Sequence, residues 1–209
     1  MPDQNLFAPD AAAARLKQLA DRWSATTGTE RAIFQTWLLE FCAALGVQAP
    51  GALTGEYQFE LPVPMVDRDG RESTNFIDCW KAGHFALEAK ASGGGASAAR
   101  DDALLRKAFG QVRNYVAHVP GDAPPYLMVV DVPRTLIVWD RWSGAYGDYA
   151  AGRRIALASL HERPDDIALL YDIFAQPAVR DPRGRAQAVT KEIAGGAGRA
   201  CRGARGSRL

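Results

Sequence analysis

Residues 75–90 read NFIDCWKAGHFALEAK, and the rest of the chain is organised around them. Two short runs, Asn75–Trp80 and Phe85–Lys90, carry the aromatic and apolar content and the bounding signals of paired strands. A three-residue loop, Lys81-Ala82-Gly83, joins them, with Gly83 free to take the left-handed conformation such loops need. This loop predicts a register in which Trp80 faces His84, Asp78 faces Ala86 and Phe76 faces Glu88. Side chains alternate across a sheet, so Asp78, Glu88 and Lys90 point to one side. Ile77, Cys79, Phe85, Leu87 and Ala89 point to the other. Glu88 is then diagonal to Asp78, roughly 7–8 Å away at the backbone.

Three charged side chains on one face of a largely apolar hairpin need an explanation, because burying them unpaired costs several kcal/mol. Magnesium offers one, since it takes one or two carboxylates together with waters and phosphate oxygens. Asp78 and Glu88 would be its ligands. Such a metal lowers the pKa of a bound water and neutralises charge building on a phosphate. Lys90, beside the carboxylates, would orient that water and stabilise the transition state. Three charges on a solvated edge hairpin carry the same spacing, so from the residues alone both readings stand. In a crowded cluster of like charges, removing any one of the three is expected to leave stability unchanged or raise it.

Working outward toward the N-terminus, Asp10 is placed to cap a helix running to about Ser24, with Leu16, Leu19 and Trp23 on one face. Thr27-Gly28-Thr29-Glu30 forms a capping box for a second helix carrying Ile33, Phe34, Trp37, Leu38, Phe41 and Leu45, which Gly46 stops. A further strand is predicted over Glu56–Pro62. Toward the C-terminus, a helix from about Asp101 to Ala117 turns Leu104, Ala108, Val112 and Tyr115 inward. Strands follow at Tyr126–Val132 and Thr135–Asp140, then a short apolar segment, Ile155–Leu160, and a helix over Pro164–Phe174. Helix, strands, helix, strands is the order of an α/β sheet covered by helices. Gly93–Ala99 is low-complexity and expected to be a loop.

Composition bounds the function classes. At 209 residues, 47% apolar and 23% charged, the chain has the balance of a soluble globular protein with one ordinary core. No run approaches the roughly 20 apolar residues of a bilayer span, and no signal peptide opens the chain, so no membrane partner and a cytoplasmic location are expected. Cys42, Cys79 and Cys201 are odd in number and never form a CxxC pair, which argues against a disulfide framework and a zinc site. The net charge of +1 hides an asymmetry. Residues 181–209 hold seven basic and two acidic side chains, leaving 18 basic and 22 acidic in the first 180. Any nucleic-acid contact must therefore rest on a local site.

The match around this hairpin extends far beyond three residues. Asp78-x9-Glu88-Ala89-Lys90 resembles the D-x9-ExK site at the N-terminus of MmeI-like type IIG restriction–modification enzymes. The helix that precedes the site in that family is matched by Thr29-Glu30-Arg31-Ala32, Gln35, Leu38, Phe41-Cys42 and Leu45-Gly46-Val47. Its aromatic-acidic strand is matched by Tyr57-Gln58-Phe59-Glu60, and its Gln-x3-Tyr helix by Gln111 and Tyr115. Two strands then follow, Tyr126–Asp131 and Leu136–Asp140, and the likeness covers roughly residues 10–180.

The resemblance implies an α/β fold of the restriction-endonuclease, or PD-(D/E)XK, type: a mixed sheet flanked by helices, with N-terminal helices and a short C-terminal helical segment. It implies Mg2+-dependent cleavage of double-stranded DNA, with Asp78 and Glu88 as metal ligands, Lys90 as the water-orienting base and Gln111 as an accessory group. A Gln111 amide satisfied inside the core is the alternative for that residue. Residues 1–150 would be the endonuclease-like domain, 151–180 the start of a helical spacer, and 181–209 a disordered basic tail. In full-length relatives an adenine-N6 methyltransferase and a target-recognition domain follow. This chain has no Gly-rich S-adenosylmethionine loop and no NPPY-type motif, so S-adenosylmethionine and methylation would belong to a parent or to an adjacent reading frame. The rival from another class is a catalytically inactive remnant that serves as a docking module of a DNA modification system.

The remaining residues are expected to do structural work. Glu40 is read as a solvated helix position rather than the acidic residue some relatives place on that helix. His84 is read as an edge-strand surface histidine rather than a phosphate contact, and His118 and His161 are scattered. Trp139, Trp142, Tyr146 and Tyr149 are read as packing first and DNA contact second. From Lys191 on, Gly, Ala, Arg and Ser supply 14 of 19 residues, which cannot bury enough surface to offset its ordering entropy. An out-of-frame ending and a genuine basic tail both fit that composition.

Overall fold

The computed structural model describes residues 9–24, 30–51, 56–66, 69–92 and 97–183. At its centre lies strand β4 (Tyr126–Asp131), whose six residues YLMVVD are all buried. A strand buried along its whole length has cover on both faces of its sheet. It sits inside a six-stranded sheet whose spatial order follows the sequence: β1 (Tyr57–Val66), β2 (Glu72–Lys81), β3 (Phe85–Lys90), β4, β5 (Thr135–Asp140) and β6 (Arg153–Ala156). Every neighbouring pair is antiparallel except β3 and β4. A parallel pair needs a crossover, and helix α3 (Ala98–Val116) provides it.

Helices α1 (Pro9–Trp23), α2 (Glu30–Leu45) and α4 (Pro164–Ala175) cover one face. There Leu16, Leu38, Phe41, Leu170 and Phe174 join Phe85, Leu87, Met128, Val130 and Leu136 of the sheet. Helix α3 covers the other face, where Leu105, Ala108, Phe109 and Val112 join Ala86, Leu127, Val129, Ile137 and Trp139. The result is the mixed α/β sheet flanked by helices that the sequence led us to expect. Leu105 rather than Leu104 belongs to the buried face of α3.

Expected and observed elements agree in kind and differ at their ends. Strands β1 and β2 run several residues farther than their apolar patterns, as a long two-stranded arm paired out to Val66 and Glu72. The apolar segment Ile155–Leu160 divides into β6 and a 3-10 turn over Leu157–Glu162. Residues 151–180, expected to begin a helical spacer, supply β6 to the sheet edge. They also place Ile155, Leu157, Leu160, Ile167, Leu170, Ile173 and Phe174 in the same buried cluster as α1, α2 and β3.

The aromatic residues of the second hairpin are packing residues. Trp139 lies 4.4 Å from Phe109 and 5.9 Å from Tyr149, ring centre to ring centre. Gly152 passes so close that a Cβ there would stand 2.5 Å from Trp139 Cε2, so only glycine fits without moving a buried indole. The capping box at 27–29, the glycine run at 93–96 and the tail from 184 onward lie outside the described residues. No helix among the described residues is long and apolar enough to cross a membrane.

Candidate active site

The β2–β3 hairpin differs from its predicted register by two residues. The observed pairs are Lys81 with Phe85, Trp80 with Ala86 and Cys79 with Leu87, so the loop is Ala82-Gly83-His84. Gly83 takes the left-handed conformation (φ 68°) at its middle, and His84 N donates to Lys81 O at 3.0 Å to close the turn. The observed loop is tied to a distant element. Lys81 Nζ donates to Phe174 O at 2.6 Å and His84 Nδ1 to Ile173 O at 3.0 Å. Two side chains of the hairpin thus satisfy carbonyls in the last turn of α4, where acceptors lack helical partners.

This register sets Asp78 against Glu88 rather than diagonal to it. The ladder stops just there: Cys79–Leu87 is the last pair joining β2 to β3. In a continued ladder Ala89 would face Ile77, but its N–H donates instead to Asp78 Oδ2 at 2.7 Å. A side-chain carboxylate thereby replaces a backbone acceptor, and the two strands part. Glu88 and Lys90 lie on the β3 side of this fork, with Lys90 Nζ donating to Glu88 Oε1 at 2.9 Å. Both are largely enclosed, at 6% and 14% side-chain exposure. The structure therefore brings together Asp78, Glu88 and Lys90, the three residues singled out from the sequence.

A second irregularity lies across β2. Pairing with β1 passes from Phe59–Cys79 to Leu61–Ile77, skipping Glu60 and Asp78. Glu60 has φ 54°, a backbone state non-glycine residues rarely adopt. The alternation changes sides at this point. Cys79 belongs to the core under α1 and α2, while Ile77, expected on the same side, belongs to the core under α3. Glu60 Oε1 accepts from Gln35 Nε2 of α2 at 3.3 Å. Both residues are among the family landmarks in the sequence, and their contact is visible only in the fold.

Asp131 was missed as a site neighbour. It is 2% exposed and stands in register with Lys90 on the parallel strand. Ser92 donates to both its oxygens, from N to Oδ1 at 2.9 Å and from Oγ to Oδ2 at 2.8 Å. Arg134 Nη1 donates to Ser92 Oγ at 2.8 Å and approaches Asp131 Oδ1 at 3.5 Å. Val132 N also donates to Lys90 O at 3.2 Å. The chain leaving Lys90 is therefore anchored two residues on. An acid closing an apolar strand was the available signal, but only the parallel register reveals what it faces.

Other expectations meet different surroundings. Gln111 lies half-buried on α3, one turn before Tyr115, whose hydroxyl donates to Asn75 Oδ1 at 3.3 Å. It makes none of the hydrogen bonds that fix the three sheet residues. Glu40 is no solvated position: it accepts from Trp23 Nε1 at 2.7 Å and pairs with Arg22 at 3.0 Å, tying α1 to α2 away from the fork. Cys42 and Cys79 are buried free thiols, and burial pushes Cys42 up to about 11, which makes it an inert core residue.

His84, read as an edge-strand surface histidine, is instead half-buried, with Nδ1 held by the Ile173 carbonyl at the end of α4. Burial is the main cause that lowers its pKa from the ordinary 6.5, outweighing the carbonyl of Ile173, and the nearby Lys81 charge adds to the lowering. The unfolded chain therefore binds a proton at a higher pH than the folded one. Stability is complete above about pH 6.5 and declines as the pH falls from there through the lowered folded value. The melting temperature is expected to drop on acidification from pH 7 to 5, and to drop less in His84→Gln. Equal drops in the two proteins would remove His84 as the cause.

The donor set suits a hard divalent cation. Asp78 and Glu88 offer carboxylate oxygens in an enclosed fork beside a cation, the ligand type magnesium takes alongside waters and phosphate oxygens. Among the described residues no group of three or more His, Cys, Asp or Glu is arranged to hold a metal. A site with two carboxylates from the protein does not require one.

A solved structure, NucC from P. aeruginosa ATCC27853 in its cAAA-bound form, is similar to this chain at 14% identity. The match covers 80% of this chain and 88% of that one, with a TM-score of 0.37. No curated protein matches. The family model described as the N-terminal domain of MmeI matches residues 13–201, through the whole of the sheet and the fork at Asp78 and Glu88, and the chain belongs to that family.

Proposed function

We propose that this chain is a magnesium-dependent DNA-cleaving domain, with Asp78 and Glu88 holding the metal and Lys90 directing the attacking water. The observation that carries this reading is the fork itself. A ladder broken by Asp78, an acid opposite it on β3 and a lysine 2.9 Å from that acid gather two carboxylates and a cation in one enclosed place, groups suited to a magnesium ion and a phosphate. Bound there, magnesium would lower the pKa of a coordinated water and offset charge on the scissile phosphate. Asp78 is held at the fork by the Ala89 N–H, which donates to its Oδ2 at 2.7 Å. Lys90, held by Glu88 at 2.9 Å, would orient that water and stabilise charge on the phosphate. We propose an accessory role for Gln111, half-buried on α3 one turn before Tyr115, whose hydroxyl donates to Asn75 of β2.

In the same proposal the protein works as part of a type IIG system, with adenine methylation and target recognition carried by further domains or an adjacent reading frame. The first 180 residues carry 18 basic and 22 acidic side chains. Sequence readout also needs a dedicated element in a groove. The chain alone is therefore expected to bind duplex DNA weakly, without sequence preference and with steep salt dependence. A sequence-specific footprint from this chain would contradict that expectation. The direct test is nicking of supercoiled plasmid by the chain fused to a DNA-binding domain, with magnesium and with EDTA. Cleavage that needs magnesium and disappears in Lys90→Ala supports the proposal. No cleavage, together with no magnesium binding in calorimetry, would assign the domain to docking.

A further inference from the structure

We infer that Arg134 is a phosphate-binding residue for the DNA strand entering the fork, oriented by the buried Asp131 through Ser92; this rests on the DNA-cleaving reading. Arg134 closes the tight β4–β5 turn, its N–H donating to Asp131 O. The turn needs no particular side chain at that position, and Asp131 does not need Arg134 to be satisfied. Ser92 already gives one hydrogen bond to each carboxylate oxygen, at 2.9 and 2.8 Å.

The pair is also unevenly buried. Asp131 keeps 3% of its side chain exposed while Arg134 keeps 39%. Arg134 spends a single nitrogen, Nη1, on Ser92 Oγ and on the longer approach to Asp131. A guanidinium has five donors in one plane, so the rest of its fork faces solvent. A planar fork held by one edge, with the other edge open, is the arrangement that binds a phosphate with two parallel hydrogen bonds. Because Ser92 and Asp131 fix the side chain before any ligand arrives, little rotamer freedom remains to be lost on binding.

Position supplies the second part of the inference. Lys90 and Asp131 are in register on neighbouring parallel strands, which puts the Arg134 turn at the end of the sheet where β3 runs out of the fork. At about 4.8 Å per strand, the turn stands within roughly 10 Å of Lys90. Phosphates recur along one DNA strand every 3.4 Å or so of helix axis. A backbone with one phosphate at Lys90 that follows this end of the sheet would bring a later phosphate of the same strand to Arg134.

The test is the salt dependence of duplex binding by the 209-residue chain, measured by fluorescence anisotropy from low salt upward. Arg134→Gln removes the charge and keeps an N–H for Ser92, and Arg134→Lys keeps the charge and loses the fork. We expect the slope of log K against log salt to fall by about 0.9 in Arg134→Gln, the loss of one phosphate contact. Arg134→Lys should keep the slope and bind more weakly. An unchanged slope in a folded Arg134→Gln chain overturns the inference, as does the absence of any duplex binding at low salt. Plasmid cleavage separates the two levels. An unchanged slope with magnesium-dependent nicking that Lys90→Ala abolishes removes Arg134 and leaves the nuclease reading intact. A lowered slope without nicking keeps the phosphate contact and removes the nuclease.

Discussion

Asp78→Asn, Glu88→Gln and Lys90→Ala are each expected to bring magnesium-dependent DNA cleavage to background, a loss of at least about 10^2–10^3-fold. Cleavage is to be read in the full-length enzyme or in a fusion that supplies DNA affinity. The three variants differ in what else they change. An asparagine at 78 still offers an oxygen to the Ala89 N–H, so Asp78→Asn should melt close to the unmodified chain while losing a metal ligand. Lys90→Ala is different, because it strips an enclosed carboxylate of its cation at 2.9 Å. Breaking a buried pair from one side costs about 3 kcal/mol or more. The expectation drawn from the residues alone, that stability holds or rises, took the cluster as mutually repelling charges; for Lys90 the Glu88 pairing reverses its sign. A melting temperature lowered in Lys90→Ala and retained in Asp78→Asn, with cleavage absent from both, is the predicted pattern. Near-normal cleavage by any of the three would remove that residue from the mechanism.

That Asp78, Glu88 and Lys90 would meet on one hairpin was legible in the sequence because strand alternation needs only local information. Asp78, Glu88 and Lys90 share a hairpin of sixteen residues, and a register error of two leaves the alternation of Glu88 and Lys90 along β3 unchanged. Their spacing was not legible. Whether Asp78 stands opposite Glu88 or diagonal to it depends on which residues form the loop. Lys81 and His84, at either end of the loop, are bonded to the last turn of α4, roughly ninety residues away, which no local pattern announces. The crossing of Ile77 to the α3 side follows from the backbone at Glu60, a position whose side chain gives no hint of a left-handed conformation. Asp131 was hidden for another reason. Parallel strands are joined by a crossover of variable length, so no local pattern states which residue of β4 meets Lys90.

The same long-range contacts make the second large prediction one of stability. Phe174 is 1% exposed, with its ring 4.7 Å from Phe85 and 5.9 Å from Phe41. It thus ties α4 to the strand that carries Glu88 and to the helix that covers it. Phe174→Ala is expected to cost about 3–5 kcal/mol, the combined loss of transfer energy and of packing around the cavity. For a chain of this size that lowers the melting temperature by roughly 10 °C. The substitution also asks whether residues 151–180 are a separate unit. If they were, the sheet would melt unchanged beside a loosened appendage, and a chain ending at residue 150 would fold. The shared core predicts one cooperative transition shifted as a whole, and no cooperative transition in the shortened chain, which lacks β6 and leaves Phe41 and Phe85 uncovered. Because α4 also holds the hairpin loop, amide exchange at Ala89 should rise in Phe174→Ala along with the loss of stability. A cooperative melt from the chain ending at residue 150, with Ala89 still protected, would show that the fork at Asp78 and Glu88 forms without the helix behind it.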